Sequence, residues 1–543
     1  MQLTFIGADH EVTGSCHCLE IAGKHILVDY GMEQGRDTFE NAPLPVSAAK
    51  IDYVFLTHAH VDHSGLLPLL AAQGFDGRVF ATEATCDLCD IMLRDCAHIQ
   101  AQEAEWRNRK GKRNSDIEQQ TPQYSMEDVL KILKCFIPCP YGEEIEVWRD
   151  DQGAGSIRIR FTDIGHLLGS ASIEVWAREG VQERKFVFSG DIGNSDQPLL
   201  RNPICTEEAD YVIMESTYGD RLHSAQKPDV LGDLVSVLDR TFARGGNVVI
   251  PSFAIGRTQE LLYFLRRIKI EHLVHTVEDF PVYVDSPLAV EATDIFRRNQ
   301  HSCYDGEAAE LLRKGINPLS FPGLHLSITA DESRAINFVT EPAVIISASG
   351  MCEAGRIKHH LKHNLWRQES TILFVGYQSV GTLGRAIVDG AEQVKLFGEA
   401  VDVRAEIARI TGLSGHADKD GLLRWLDGFT NTPRRVFVVH GEDTVSAGFA
   451  DLIRRTRGFE ADAPYSGTIF DPVANRYVRE AVPVPIKKKA KRGISDVFER
   501  LKAAGARLIA VIGRAEGLPN KDLAKFADQV TALCDKWDNS KRG

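Results

Sequence analysis

Four side chains that can bind a metal ion occur within six residues, directly after a short apolar run. The run YVFL has the composition of a buried strand, and His58, His60, Asp62 and His63 follow it. No helical period explains these four residues as one buried face. In an extended loop His58 and His60 point to the same side and can bind one metal, while Asp62 and His63 can turn toward a second. A single histidine is most often structural, but four together predict a metal site.

The composition of the whole chain is that of a large globular protein. Its 543 residues suggest about three to four domains, and its 43% hydrophobic and 26% charged residues exclude disordered, collagen-like and coiled-coil classes. The net charge of −13 would repel nucleic acid, so any polyanion site must be a local basic or metal-filled cleft. Eleven cysteines are too sparse for a disulfide scaffold, and no run approaches the length of a membrane span. We therefore expect a cytoplasmic protein that has reduced thiols and does not enter a membrane.

Further metal-ligating residues follow other apolar runs of the strand type. They are Asp29 after HILV, His166 within FTDIGHLLGS, Asp191 after KFVFSG and His440 after VFVV. In layered α/β folds, loops at the carboxyl ends of strands are held by the sheet and remain accessible. Taken singly, Asp29 and Asp191 could be turn residues and His166 could cap a loop. Jointly they would complete two metal sites that share a bridging carboxylate.

The pattern changes at residue 221 to a regular alternation of strands and helices that continues to residue 395. Runs such as NVVIPSF and TILFVGYQ read as strands, and a helix between them carries Leu261, Leu265 and Ile268 on one face. Such alternation predicts βαβ units and a parallel sheet. We therefore predict a second α/β domain over 221–395, inserted into a first domain that comprises residues 1–220 and 396–465.

Three stretches stand apart from this organisation. Residues 100–125 are polar and predict an exposed helix or loop arm. The basic hexamer KKKAKR (487–492) is usually a solvated linker, with RNA contact as the alternative. Residues 466–543 form a C-terminal extension in which a strand-like run, RLIAVIG (507–513), lies between two helical patterns. Its function is open, with dimerisation and RNA contact as the two alternatives.

The motifs together resemble those of the metallo-β-lactamase superfamily. THAHVDH, His166, Asp191 and the early Asp29 are similar to the signature of that fold, and ESTYG (215–219), LSGHAD (413–418) and VVHGE (438–442) are similar to the three additional motifs of its β-CASP branch. Within the branch, the chain resembles bacterial relatives of the endonuclease subunit of the cleavage and polyadenylation factor. The resemblance covers residues 1–465 and implies an αββα sandwich with the 221–395 domain as a β-CASP cap.

The resemblance also implies a role for each motif residue. His58, His60 and His166 would bind one zinc ion, and Asp62, His63 and His440 the other, with Asp191 bridging the two. Asp29 would brace the ligand loop, and Glu215 would orient His416. A histidine at position 440 resembles the RNA-acting members rather than the DNA-acting ones. Mn²⁺ is the alternative metal, because sets of His and Asp ligands bind both ions.

These residue types suit phosphodiester hydrolysis. Two bound metals would lower the pKa of a water and draw in a phosphate oxygen, so that a metal-bound hydroxide attacks. His416 would act as the general acid, leaving a 5′ phosphate and a 3′ hydroxyl. We therefore expect a ribonuclease for single-stranded RNA, either endonucleolytic or 5′-to-3′ exonucleolytic.

Two glycine-containing turns of the cap, SASGMCEAGR and GYQSVGTLGR, follow strands and offer backbone N–H groups and basic residues to phosphate. The expected substrate contacts are Ser349, Gly350, Arg356, Arg385 and Arg257. A tight strand-to-helix connection explains such turns equally well.

Two other functions remain as alternatives. A thioester hydrolase of the glyoxalase II type shares the His-x-His-x-Asp-His ligand set, but it does not explain the long insertion, Glu215 or His416. A catalytically silent scaffold in an RNA-processing complex is the second, although every ligand position is filled here. Additional RNA-binding surface is either absent or supplied by a homodimer.

Overall fold

The computed structural model describes residues 1–35, 38–111, 121–223 and 228–486, together with 505, 508–509, 511–516 and 519–537. The chain divides into two units, Met1–Pro485 and Ile486–Gly543. In chain order the strands are β1 (Gln2–Gly7), β2 (Cys16–Ile21), β3 (Lys24–Val28), β4 (Tyr53–Phe55), β5 (Arg78–Thr82), β6 (Phe136–Cys139), β7 (Ile145–Arg149), β8 (Gly155–Asp163), β9 (Ala171–Glu179), β10 (Gln182–Phe188), β11 (Tyr211–Glu215), β12 (Val248–Pro251), β13 (Val282–Asp285), β14 (Leu324–Ser327), β15 (Val344–Ser347), β16 (Thr371–Phe374), β17 (Gln393–Leu396), β18 (Glu399–Asp402), β19 (Glu406–Arg409), β20 (Arg435–Val439), β21 (Ala461–Asp462), β22 (Ile469–Asp471) and β23 (Arg476–Arg479). The helices are α1 (Val61–Ser64), α2 (Leu67–Ala72), α3 (Glu83–Gly111), α4 (Met126–Leu133), α5 (Val230–Phe242), α6 (Arg257–Ile270), α7 (Pro287–Arg298), α8 (Gln300–Cys303), α9 (Gly306–Arg313), α10 (Ala330–Ile336), α11 (Ile357–Asn364), α12 (Leu383–Val388), α13 (Lys419–Leu426), α14 (Asp443–Arg457) and α15 (Asn520–Trp537).

Two sheets pack face to face in the first unit. One has the strand order β23-β22-β1-β2-β3-β4-β5-β6, and the other has the order β21-β20-β11-β10-β9-β8-β7. The alternation along β8 shows why they pack, because Ile157, Ile159 and Phe161 are buried between the sheets while Arg158 and Arg160 face outward. Both sheets therefore present a continuous apolar face to a shared core.

Helices cover the outer face of each sheet. Leu67 and Leu70 of α2 pack on the first sheet. Trp425 of α13 and Phe449 of α14 pack on the second sheet against the outward-facing Val187 of β10. These four layers confirm the predicted αββα sandwich.

The inserted domain contains a six-stranded, entirely parallel sheet with the order β14-β13-β15-β12-β16-β19. Helices lie on both faces: α6 shares a core with Val248 and Ile250 of β12, and α11 shares another with Val249. The parallel α/β cap is therefore confirmed. Its sheet, however, extends past the boundary predicted at 395, because β19 pairs with β16. The antiparallel hairpin β17–β18 lies between β19 and the other cap strands along the chain. The sequence pattern therefore does not show that β19 belongs to the cap sheet.

The sandwich likewise extends past residue 465. Strands β22 and β23 join the first sheet beside β1, where Leu3 is paired with Phe470. These strands are three and four residues long, too short to stand out as sequence patterns.

In the second unit, α15 and the described residues 508–509 and 511–514 are helical. The strand expected at 507–513 is therefore wrong in its described part, because a short apolar run by itself does not separate helix from strand. The predicted polar arm is helical as far as the end of α3, whereas KKKAKR lies outside the described residues. Among the described helices, none has the length and apolar content needed to cross a bilayer.

Candidate metal centre and active site

The carboxyl ends of strands from both sheets meet at one edge of the sandwich. Asp29 follows β3, the loop bearing His58 follows β4, and His166 follows β8. Asp191 follows β10 and His440 follows β20. Because β3 and β4 are parallel neighbours, as are β10, β11 and β20, the chain delivers these side chains to the same edge. Asp29 and His440, which are 411 positions apart in the chain, therefore converge on one centre.

The first group of potential ligands consists of His58, His60, His166 and Asp191, whose ligand atoms all lie within 4.8 Å of one another. His60 Nδ1 lies 3.1 Å from both His58 Nε2 and His166 Nε2. Three ring nitrogens from two loops thus face a common point. This set matches the ligands that the sequence predicts for one metal.

The second group consists of Asp62, His63 and His440. His63 Nε2 lies 3.2 Å from His440 Nε2, and His440 Nε2 lies 3.7 Å from Asp62 Oδ2. This group matches the predicted ligands of the second metal. The residues that the resemblance assigns to two metals therefore lie together in two groups, and their role as metal ligands stays a prediction.

Asp191 lies between the two groups and turns one oxygen toward each. Its Oδ2 is 3.5 Å from His58 Nε2 and 3.4 Å from His166 Nε2, and its Oδ1 is 3.3 Å from His63 Nε2. Within the described part of the chain, Oδ1 is buried and accepts no hydrogen bond. A buried carboxylate oxygen without a donor is costly unless a cation satisfies it. Asp191 is therefore placed where one carboxylate can face two ligand groups at once.

The spacing of the ring nitrogens also fits a metal. With zinc–nitrogen bonds of about 2.0–2.1 Å, the edge of a tetrahedron of ligands is about 3.3 Å. The nitrogen pairs at 3.1 and 3.2 Å are close to that edge. The donor set of imidazoles and carboxylates suits zinc and other divalent transition metals. The residues present therefore fit two divalent ions.

Electrostatics favour the ligand forms of these side chains. Burial lowers the pKa of His58 and His166 well below the ordinary value, so both rings are neutral with a lone pair to offer. Burial opposes ionisation of Asp191, but the neighbouring rings of His440, His63 and His416 outweigh it and hold its pKa well below the usual range. The neutral imidazoles of His58 and His166 thus face an ionised carboxylate, whereas Asp191 raises the pKa of the His63 and His440 rings on its other side.

Asp29 braces the ligand loop from behind and belongs to neither ligand group. Its Oδ1 accepts the Thr57 backbone N–H at 2.8 Å, and its Oδ2 lies 2.7 Å from His63 Nδ1. With Nδ1 donating to Asp29, Nε2 of His63 is free to bind a metal. Asp29 also has a backbone φ of 61°, a left-handed conformation that is uncommon outside glycine and places the carboxylate under the loop.

His416 stands beside the centre and is oriented by Glu215. Its Nδ1 lies 3.2 Å from Glu215 Oε1, while its Nε2 faces Asp191 Oδ2 at 3.9 Å. Glu215 is fixed in turn, since it accepts the backbone N–H groups of Ile192 and Thr217. Burial opposes protonation of His416, but the carboxylates of Glu215 and Asp191 prevail and raise its pKa to about 9. His416 is therefore protonated at neutral pH in this geometry.

The predicted substrate contacts of the cap are less free than the sequence suggested. Arg257 pairs with Glu260, and Arg385 pairs with Asp389 at 2.8 Å. Arg356 forms an ion pair with the fully buried Asp285 at 2.7 Å and donates to the Ile328 carbonyl at 2.6 Å. Arg356 therefore holds its own loop in place rather than offering an unpaired cation. These contacts depend on the fold and cannot be read from the sequence.

The two small residues of the same cap loop are packed locally. Ser349 is hydrogen-bonded to Ala354, and Gly350 packs so closely on Phe253 that an added Cβ would lie 3.1 Å from it. The loop of Arg257 approaches the metal centre, because a Cβ on Gly256 would lie 3.2 Å from Leu167, the neighbour of His166. The carboxyl edge of the cap sheet therefore borders the centre.

A cleft of about 1080 Å³ lies between sandwich and cap beside the segment that carries His416. His223, Leu413 and Asp418 line one wall, and Tyr263 and Arg267 of α6 line the other. His223 is tied to that segment, since its Nε2 lies 3.0 Å from the His416 carbonyl oxygen. The side chains that line this cleft do not include the metal-ligating residues, so the cleft lies beside the centre rather than over it.

Sequence reasoning missed two threonines that orient ligands. Thr217 Oγ1 lies 3.1 Å from His440 Nδ1, and Thr57 Oγ1 lies 3.1 Å from His58 Nδ1. Each leaves Nε2 of its histidine directed at the centre. Their signal was present, because Thr217 lies within ESTYG and Thr57 begins THAHVDH.

Three family models match this chain. The model of the metallo-beta-lactamase superfamily matches residues 11–235, and the Beta-Casp domain matches residues 258–387. The model described as the Zn-dependent metallo-hydrolase RNA specificity domain matches residues 400–464. The matched ranges follow one another along the chain in the order sandwich, cap, sandwich.

Known proteins with similar sequences indicate the same family. A Thermus thermophilus protein named Ribonuclease TTHA0252 is 37% identical over 82% of this chain and 94% of its own length. Proteins named Transcription termination factor FttA are 29% identical in Methanocaldococcus jannaschii, over 84% of this chain and 69% of theirs, and 30% identical in Methanococcus maripaludis, over 86% and 70%. The chain therefore belongs to the β-CASP branch of the metallo-β-lactamase superfamily, a family of metal-dependent hydrolases.

Proposed function

We propose that this protein is a metal-dependent ribonuclease that hydrolyses phosphodiester bonds of single-stranded RNA. The observation that carries the proposal is the position of Asp191, with one oxygen toward each ligand group and His416 at its side. The name of the Thermus relative and the RNA specificity model over residues 400–464 support RNA as the substrate. The cleft of about 1080 Å³ next to the segment that carries His416 is where we expect the polynucleotide to lie.

In the proposed reaction, some side chains would bind the metal ions and others would orient these ligands. His58, His60, His166 and Asp191 would hold one zinc ion, and Asp62, His63, His440 and Asp191 the other. When bound, such a pair of cations supplies an activated water and neutralises charge on the phosphate. Asp29, Thr57 and Thr217 keep the imidazoles turned toward the centre.

His416 would supply the proton that the departing oxygen requires. Its Nδ1 is held by Glu215, so the Nε2–H points into the centre. Protonation of the 3′ oxygen by this group would leave a 3′ hydroxyl and a 5′ phosphate. Asp62 is partly buried beside His440. Burial opposes its ionisation, but the hydrogen bond to the His440 ring outweighs this and lowers the pKa of Asp62 to about 2, so the carboxylate is ionised.

End-labelled RNA tests the proposal. The protein loaded with zinc, and separately with manganese, should cut single-stranded RNA to products with a 5′ phosphate. Asp191→Ala should lose both metal binding and cutting, whereas His325→Ala, a surface histidine of the cap, should match the wild type. Comparison of 5′-phosphate with 5′-hydroxyl substrates separates exonucleolytic from endonucleolytic cutting. Undiminished cutting by Asp191→Ala would remove the assignment.

A further inference from the structure

One helix of the cap carries basic side chains and no acidic one. Helix α11 has the sequence IKHHLKHN and contains no acidic residue, although the whole chain has a net charge of −13. His360 is buried against Asp285. Lys358, His359, Lys362 and His363 are instead partly or fully exposed, and their spacing puts them on one side of the helix. Lys358 and Lys362 are the cations of this face, because partial burial and neighbouring basic groups lower the pKa of His359 and His363 below the ordinary value and leave both rings neutral at pH 7.

Two exposed aromatic rings accompany these cations. Trp366, which follows α11, is 55% exposed, and Phe397, in the turn between β17 and β18, is 52% exposed. The Phe397 ring stacks on His359 with centroids 4.4 Å apart, and Lys358 Nζ lies 5.6 Å from its centroid. Rings and cations thus share one surface, defined by Lys358, His359, Lys362, His363, Trp366 and Phe397 and called here the α11 face.

The backbone at Phe397 is unfavourable for phenylalanine. Phe397 has a φ of 51° and Gly398 a φ of 90°, so both central residues of this two-residue hairpin turn are left-handed. Such turns favour Asn-Gly, and a bulky residue at the first position is disfavoured. A half-exposed ring adds little to the core in return. The aromatic side chain is therefore better explained by something that it contacts outside the protein.

The α11 face adjoins the rim of the cap sheet that borders the metal centre. Helix α11 begins directly after the loop of Ser349 and Gly350, and that loop packs on Phe253 at the carboxyl end of β12. The following residues of the β12 loop reach Leu167, beside His166. On the opposite face of the cap sheet, α6 lines the cleft. A strand leaving the centre over this rim would therefore meet α11.

We propose that the α11 face binds single-stranded RNA outside the metal cleft and holds the part of the substrate distant from the cut. This inference rests on the proposed function. Cations next to flat rings match the alternation of phosphates and bases in an unpaired strand, whereas a duplex keeps its bases stacked inside. Glu399 pairs with Lys362 at 2.9 Å, but an ion pair this exposed is weak and gives way to phosphate.

Phe397→Asn tests the proposal without weakening the fold. Asparagine suits the left-handed turn position, so the melting temperature of the metal-loaded protein should stay equal or rise. On an RNA of about 30 nucleotides, KM should increase at least about fivefold with kcat unchanged, since stacking on a base is lost. On an RNA of about 5 nucleotides, which fills only the cleft, both constants should match those of the wild type.

A second variant tests the charges. Lys362→Gln should reduce the dependence of log kcat/KM on log salt concentration by about 0.7 for the long RNA, because one phosphate contact is lost. Arg313→Gln is the matched control, because Arg313 also pairs with a glutamate but lies on α9, which packs on the other face of the cap sheet. Arg313→Gln should leave the salt dependence unchanged.

The outcomes separate this inference from the function on which it rests. If the wild type cuts both RNAs and Phe397→Asn has wild-type constants on the long one, the proposal that the α11 face binds RNA is overturned. The proposed ribonuclease function is then unaffected. An equal rise in KM on the short RNA would also overturn it, because the effect would then lie in the cleft. If the metal-loaded wild type cuts neither RNA, the proposed function fails first.

Discussion

At the scale of single residues, the centre depends on which atom each side chain turns inward. His416 is useful only because Glu215 holds Nδ1 and leaves Nε2 beside Asp191. The same logic places Nε2 of His63 and His440 inward, with Nδ1 held by Asp29 and Thr217. The hydrogen-bond partner of Nδ1 thus determines whether Nε2 of each histidine faces the centre.

His416→Gln separates proton donation from metal binding. Glutamine can still hydrogen-bond to Glu215, but it cannot carry a transferable proton at neutral pH. We expect kcat on RNA to fall by about 10²–10⁴ while the metal content per chain, measured by elemental analysis, remains that of the wild type. Activity within a few-fold of the wild type would contradict the assignment of His416 as the acid.

Asp163 is a residue whose protonation should affect stability. Burial raises its pKa from the ordinary value of 3.8 to about 6, and the Gly165 N–H and the Arg201 guanidinium offset this only in part. Because the folded pKa is the higher one, folding is favoured by protonation, and this stability is lost as the pH rises from about 4 through 6.

Asp163→Asn should therefore be more stable than the wild type at pH 7.5 by about 2–3 kcal/mol, because asparagine avoids the buried charge and can still accept from Gly165. The gain should disappear below about pH 4. Melting temperatures of the two proteins across this pH range check the prediction. A gain that does not change with pH would show that the charge is not its cause.

At the scale of structural elements, the loops after β8 and β10 approach each other so closely that there is no room for a side chain at Gly193. A Cβ on Gly193 would lie 2.1 Å from the Gly165 carbonyl oxygen and 2.7 Å from the His166 backbone nitrogen. This contact joins the loop after β10 to the loop after β8. A glycine is thus required where two ligand loops touch.

Gly193→Ala should displace the His166 loop. We expect weaker metal binding, seen as a lower metal content after dialysis against a competing chelator, and a fall in melting temperature. Gly448→Ala is the control: Gly448 lies within α14 with nothing near an added Cβ, and alanine there should stabilise by about 0.5–1 kcal/mol. Wild-type metal retention by Gly193→Ala would show that the loop can move without consequence.

At the scale of the whole molecule, the ligands tie together segments that are far apart in sequence. His63 comes from the first sheet and His440 from the second, and their Nε2 atoms lie 3.2 Å apart. Metal binding therefore stabilises the packing of the two sheets as well as the site.

Metal removal should destabilise the entire sandwich. A site with cation at about 100 times its Kd contributes about 2.7 kcal/mol, so chelation should lower the melting temperature and added zinc or manganese should restore it. Asp191→Ala should show little of this shift, because both ligand groups lose their shared carboxylate. An unchanged melting temperature on chelation of the wild type would contradict structural coupling of the site.

Local chemistry made the ligands recognisable from the sequence. His58, His60, Asp62 and His63 are adjacent, and Asp29, Asp191 and His440 each follow an apolar run, so residue type and order alone predict a dinuclear site at strand ends. The alternation of strands and helices also predicts the parallel sheet of the cap, because βαβ rhythm is a local property of the chain, whereas the αββα sandwich is implied by the family resemblance.

Tertiary structure decided what depends on contacts between distant segments. The pairing of Arg356 with Asp285, the return of β19 to the cap sheet and the addition of β22 to the first sheet all follow from which segments meet. No local pattern carries this information, since a short strand or an arginine has the same sequence whether it is paired or free. The orientation of Asp191 between two groups of imidazoles has the same origin, because it is set by the packing of one sheet against the other.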